Sequence, residues 1–299
     1  MSGSNAKTII VYGNCQAEFF TALLEPELAA RSAHRVIYRR SFDHPFDEQS
    51  ELPREDLASC SLFFEQHDRA RFPEREFLPA DCPNIVFPSL DTVLFWPFQA
   101  MNPYDKLDPP VFPWGHFPYA DRIVLGYLDK GMPADEILRQ YLHGWDSYKP
   151  DLNRLFEVEK ARLTARDKSC HVRVADYFLQ HFREKRLFWT VNHPAREMTA
   201  ELYRRLLKAG AVFEPVLAEI GDDAITRSFD ARYFLENISV PIHPKLAEHF
   251  GLAWYDAEHE LHAWSSAAPI SYVEYFTELI RWSLVVKQEK QEGVTTAHM

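Results

Sequence analysis

Apolar positions in the first ninety residues come in short, largely β-branched or aromatic runs. Lys7 to Tyr12 (KTIIVY), His34 to Tyr38 (HRVIY), Cys60 to Phe64 (CSLFF) and Asn84 to Phe87 (NIVF) stop at Gly13, at Arg39-Arg40, at Glu65-Gln66-His67 and at Pro88. Runs of this length, bounded by polar residues or turn formers, predict buried strands. Between the first two, Gln16 to Leu28 sets Phe19, Phe20, Leu23 and Leu24 on one helical face. Strand, helix and strand in repetition predict βαβ units, hence parallel strands with right-handed crossovers.

The pattern then changes. Pro97 to Pro118 is rich in proline and aromatics without periodicity, and its Phe and Trp content predicts an ordered loop. Helical spacing follows over 120–130, 133–142, 152–166, 172–183 and 271–288. Leu187 to Val191 (LFWTV) reads as a further strand, with Asn192 capping the helix behind it, Pro194 in its first turn and Gly210 at its end. The fold class is α/β, predominantly helical around a small parallel β-sheet, with a Rossmann-like or SGNH-like start. The chain reads as one α/β domain over residues 1–290, its sheet core mainly within 7–118 and 187–210. A polar, frayed tail is expected over 291–299.

Composition narrows the functions. A net charge of −11 disfavours nucleic acid, which needs a broad basic surface, and anionic membranes for the same reason. A phosphorylated small molecule needs only a few local cations and stays open. No apolar run approaches the roughly 20 residues of a membrane helix, and no basic-then-apolar leader opens the chain. The expected location is cytoplasmic. Cys15, Cys60, Cys82 and Cys170 form no CxxC pair, so reduced thiols rather than a metal site are expected.

Candidate chemistry gathers where strands end. In Gly13-Asn14-Cys15-Gln16, a glycine allows a tight turn and Cys15 falls at a helix N-terminus, where the macrodipole favours a thiolate. The backbone N–H groups there suit an oxyanion or a phosphate. The layout resembles the Gly-Asp-Ser turn of SGNH-type hydrolases, with cysteine in place of serine. The position equally suits an inert thiol in a strand–helix junction. His67 leaves the third strand on the same expected sheet edge and can serve as acid or base. Arg39, Arg40, Arg69 and Arg71 are candidate phosphate partners or solvated charges. Asn192 and His193 mark a second junction, with His193 an alternative base.

In this order along the chain, Ile10 to Ala17 (IVYGNCQA), Phe64 to His67 (FEQH), Pro88-Ser89-Leu90 to Phe95-Trp96-Pro97, and Phe188 to Pro194 (FWTVNHP) resemble WcbI-type polysaccharide biosynthesis proteins. The resemblance spans most of the chain. It implies a mostly helical protein around a small parallel sheet, binding coenzyme A. It also implies acetyl transfer from acetyl-CoA to a sugar or sugar-nucleotide hydroxyl in capsule or exopolysaccharide assembly, with a Cys-His dyad that falls on Cys15 and His67. Gly13, Asn14, Gln16, Arg39, Arg40, Arg69, Asn192 and His193 are the candidate CoA-contacting residues on the bottom-up reading. Two alternatives differ in class: an esterase or thioesterase using water, and a CoA- or sugar-binding accessory protein without turnover.

Overall fold

A computed structural model describes residues 7–43, 47–67, 71–107, 114–232, 235–256 and 270–292. The expected frayed tail lies almost wholly outside them. In chain order the first elements are β1 (Thr8–Gly13), α1 (Cys15–Arg31), β2 (Arg35–Arg40), α2 (Arg54–Ala58), β3 (Cys60–Gln66) and β4 (Asn84–Phe87). Next come β5 (Gln99–Met101), β6 (Tyr119–Asp121), α3 (Arg122–Asp129), α4 (Ala134–His143), α5 (Trp145–Tyr148) and α6 (Leu152–Lys168). The last are α7 (Ala175–His181), α8 (Arg196–Gly210), α9 (Asp222–Arg232), α10 (Pro244–Phe250) and α11 (Tyr272–Gln291). Where the sequence reads as one domain, the chain resolves into two compact units. One comprises Met1–Asp91, Lys160–His181 and Pro194–Phe234; the other comprises Thr92–Glu159, Phe182–His193 and Leu235–Met299.

The first unit holds the parallel sheet, in the order β2-β1-β3-β4. Every residue of β1 is buried, which is why its sequence is apolar without alternation: both faces are covered. Ile9 pairs with Leu62 and Val11 with Phe64, so these side chains share one face. There Phe20 of α1 meets Phe64 edge-on with centroids 5.2 Å apart, and Tyr203 of α8 lies 5.1 Å from Phe20. On the other face Ile10, Tyr12 and Phe63 pack with Leu57 of α2 and with Phe72. The rings of Tyr12 and Phe63 lie 5.3 and 4.9 Å from that of Phe72.

The second unit begins with the antiparallel pair β5–β6. The predicted helix over 120–130 therefore starts later, at Arg122, because Asp121 leaves β6 and caps α3 by accepting from the Ile123 N–H at 2.7 Å. Val124 and Leu128 of α3, Ile137 and Tyr141 of α4, and Tyr275, Phe276, Leu279 and Ile280 of α11 form its core. A capping box fixes the start of α11: Glu274 N–H donates to Ser271 Oγ, and Ser271 N–H to Glu274.

Within Leu187 to Val191, Leu187, Phe188 and Thr190 are buried and Trp189 and Val191 half-buried, yet the run is no strand. Trp189 N–H donates to His193 O at 2.9 Å, and Thr190 Oγ1 accepts from the His193 N–H at 3.1 Å, closing a turn. Asn192 consequently caps no helix. Helix α8 starts only at Arg196, behind Ala195, and Pro194 lies outside its first turn. Among the described residues, no helix is long and apolar enough to cross a membrane.

Gly210 ends α8 against the sheet. A Cβ there would meet Leu217 Cδ1 at 2.6 Å and Phe64 Cζ at 2.9 Å. Gly210→Ala is expected to destabilise by about 1–3 kcal/mol through overpacking, read as a lower urea midpoint at unchanged slope. An unchanged midpoint would show that Leu217 and Phe64 yield freely.

Candidate functional site

The end of β1 is built around a glycine because β3 comes too close for anything larger. A Cβ on Gly13 would lie 2.7 Å from Ala17 Cβ and 2.8 Å from Gln66 Oε1. That closeness lets Gln66 Oε1 accept the Asn14 N–H at 2.9 Å. The Gly13 carbonyl accepts from the Ser41 N–H at 2.9 Å and from the Tyr38 hydroxyl at 3.2 Å. Asn14 then caps α1, its Oδ1 accepting from the Gln16 N–H at 2.9 Å. Cys15 is the first helical residue and is half-buried.

Gln16 points inward and is buried. Its Oε1 accepts from Leu90 N–H at 2.8 Å and from Gln66 Nε2 at 3.2 Å, and its Nε2 donates to Leu90 O at 2.7 Å. Its carbonyl accepts from Tyr203 Oη at 3.2 Å. Gln16 thus ties the start of α1 to the segment after β4 and to α8. Its side chain is committed to that frame and is not available to a ligand.

On β3, Tyr12 pairs with Glu65, so Gly13 stands opposite Gln66 and His67 follows on the same edge. The His67 N–H continues the ladder to Phe87 O at 2.7 Å. Because β1 and β3 are adjacent, Cys15 and His67 leave neighbouring strand ends on one edge, and both are partly accessible. The N–H groups of Ala17 and Glu18 bond to Asn14 O. With the Gln16 N–H also taken, what the helix start offers an anion at Cys15 is mainly its dipole.

The arginines expected to hold phosphate are engaged otherwise. Arg39 is buried, forming an ion pair with Glu74 at 2.9 Å and donating to Ser50 O at 2.8 Å. Arg40 reaches back to Asp47 at 2.8 Å and to Phe42 O at 3.0 Å. Arg69 lies outside the described residues. Two arginines missed in the sequence stand near the frame instead: Arg162 and Arg166 of α6 both meet Asp91, at 2.6 and 2.8 Å. Asp91 directly follows Leu90, which brings both arginines beside this stretch. The signal was their spacing of four on one helix face. Among the described residues, no group of three or more metal-ligating side chains occurs.

Asn192 and His193 belong to the second unit. Asn192 Oδ1 accepts from Tyr119 Oη at 2.8 Å and from Thr190 Oγ1 at 3.2 Å, while Tyr119 Oη lies 3.5 Å from His193 Nε2. Burial pushes the His193 pKa down to about 4, leaving a neutral imidazole too weakly basic to be a good general base at neutral pH.

The fold and turn define a class: an α/β protein with a cysteine at the strand-to-helix junction of its central strand and a histidine at the end of the adjacent one. The family model described as polysaccharide biosynthesis enzyme WcbI matches residues 8–212, about two thirds of the chain, and the chain belongs to that family. A solved structure of WcbI, described as a novel polysaccharide biosynthesis enzyme, is similar with a TM-score of 0.67 and 18% identity. The match covers 98% of this chain and 96% of that one. That structure is described as the native protein without a disulfide bond between CoA and one of its cysteines. No curated protein matches.

Gln66→Leu leaves the Asn14 N–H buried and unpaired, an expected loss of about 1–3 kcal/mol. Gln66→Glu keeps that acceptor but turns a carboxylate oxygen toward Gln16 Oε1. Its defect should shrink as pH falls and the carboxyl gains a proton to donate; equal midpoints for all three proteins in denaturant titrations would remove Gln66 from the frame.

In the second unit burial also lowers His243 to about 4, with Lys245 adding to the effect, whereas burial raises Asp121 to about 6. Between pH 6.5 and 4 the unfolded chain takes up protons on both histidines that the native chain does not, so stability falls with pH there. Asp121 opposes this, because its native carboxyl protonates first. His243→Asn, which can still accept from the Lys245 N–H, should give a shallower loss of Tm over that window than the parent. Parallel Tm–pH profiles would contradict it.

Proposed function

We propose that this protein is a CoA-dependent O-acetyltransferase acting on a sugar hydroxyl, with Cys15 and His67 as its catalytic pair. The observation that carries the reading is the departure of both side chains from adjacent strand ends on one sheet edge. Family membership supplies polysaccharide biosynthesis. The description of the solved relative links CoA with a cysteine. Among this chain's four cysteines, Cys15 is the one that begins a helix at the carboxyl edge of the sheet.

In the direct route His67 accepts the proton of the acceptor hydroxyl as its oxygen attacks the acetyl thioester carbonyl. The tetrahedral intermediate then expels CoA thiolate, which takes the proton back from His67. In the covalent route the Cys15 thiolate attacks first, releases CoA and carries the acetyl group until the activated hydroxyl displaces it. The α1 dipole favours negative charge beside it in both: on the tetrahedral oxyanion in the direct route and on the Cys15 thiolate in the covalent one. Arg162 and Arg166, which meet at Asp91 beside the frame, are our candidates for the CoA phosphates in place of Arg39 and Arg40.

The test is acetyl transfer from acetyl-CoA to a panel of sugars and sugar nucleotides. Cys15→Ser and His67→Ala are each expected to remove most turnover, and the double variant to add little more, as for residues acting as a unit. Near-normal transfer by His67→Ala would overturn the pair. Acetate release at the same rate with and without a sugar would make the protein a thioesterase.

A further inference from the structure

At the other edge of the same sheet two thiols face each other. Cys60 opens β3 and Cys82 sits in the turn before β4; their sulfurs are 3.6 Å apart. Cys60 is 3% exposed, whereas Cys82 is half-buried. Cys82 also lines a cavity of about 310 Å³ together with Phe63, Arg75, Leu78 and Asn84. Arg75 is held in place by Glu65 at 2.8 Å.

We propose that Cys60 and Cys82 form a peroxide-oxidisable dithiol, with Cys82 the attacking thiol and Cys60 the resolving one. The roles follow from access: only Cys82 meets the cavity, and only Cys60 lies behind it. Electrostatics agree. The Cys82 pKa is lowered, first by its hydrogen bond with Cys60 and then by Arg75, against burial and Asp81. Cys60 is pushed up by Cys82 and by burial. A half-buried thiol with lowered pKa, opening on a cavity and backed by a buried thiol, is an arrangement suited to reversible oxidation.

The chemistry balances. The Cys82 thiolate attacks one peroxide oxygen, the O–O bond breaks, and the departing hydroxide takes a proton to become water. Cys60 sulfur then attacks the Cys82 sulfenic acid; the S–S bond forms, the S–O bond breaks, and a second water leaves with the Cys60 proton. Two thiols lose two electrons in all and one peroxide gains them. A disulfide needs the sulfurs near 2.05 Å, so they must close by about 1.5 Å. The turn carrying Cys82, closed by its N–H on Pro79 O at 3.0 Å, is where that motion would fall. The bond would tie the amino ends of β3 and β4 together, leaving the edge with Cys15 untouched.

The full-length chain is treated with limiting hydrogen peroxide, quenched, and mapped by mass spectrometry without reduction. The expected product has lost two hydrogens, joins the Cys60 and Cys82 peptides, reverts with dithiothreitol, and melts about 5 °C higher than the reduced form. Cys60→Ser should leave a Cys82 sulfenic acid that dimedone captures. Cys60 and Cys82 both remaining thiols while peroxide reacts at Cys15 or Cys170 would overturn the proposal. So would Cys82 advancing to sulfinic acid in the parent without the cross-link. Because the parent protein alone yields this map, a misfolded variant does not obscure the result. The outcome is also independent of whether acetyl transfer is found.

Discussion

The approach of β3 to the end of β1 sets the geometry of everything on the carboxyl edge of the sheet. Only a residue without a Cβ lets Gln66 reach the Asn14 N–H. From that contact the frame spreads through neutral amides: Gln66 to Gln16, Gln16 to Leu90. A hydroxyl from Tyr203 closes it on the Gln16 carbonyl. Buried polar networks hold a unique geometry when every member is satisfied and are costly when one is not. This one carries no formal charge, so it needs no counter-ion and does not titrate in the physiological range. Cys15 and His67 emerge from its rim, one residue beyond Asn14 and one beyond Gln66.

Much of the first unit was legible because burial on both faces leaves a plain mark. KTIIVY, CSLFF and NIVF are apolar runs too short for helices, and the structure has strands there. The same criterion misread LFWTV. That run buries Leu187, Phe188 and Thr190 by packing, while a local turn is closed by Trp189 N–H on His193 O and by Thr190 Oγ1 on the His193 N–H. Helices α9 and α10 escaped because their apolar positions are few, and β5 and β6 because three-residue strands leave no periodicity. At the site, the turn at Gly13 and the histidine after β3 could be read from their place relative to strands. Gln66 could not, although a glutamine ending an apolar strand was the available signal. Arginine partners were also beyond reach: Glu74 lies far along the chain from Arg39, and nothing local announces the pairing.

The chain shares its fold with a solved member of its family at 18% identity. In this chain the strand–helix junction rests on a few residue types at fixed places: a glycine at the close approach, a cap, and amides that complete one another. Acidic overall charge and two arginines held side by side at Asp91 are compatible. Charges separated by more than a Debye length of about 10 Å scarcely feel each other at ordinary salt.

The sheet-bearing unit is assembled from three separate stretches of chain, the last being Pro194–Phe234. During synthesis β1 to β4 therefore leave the ribosome long before α8 exists. Throughout that interval the face formed by Ile9, Val11, Leu62 and Phe64 lacks Tyr203 and Gly210, the groups that finally cover it. A half-made chain must carry an apolar surface that it cannot bury by itself, and closing distant segments is slow. Refolding of the first unit therefore has to bring α8 back onto a face that was made long before it.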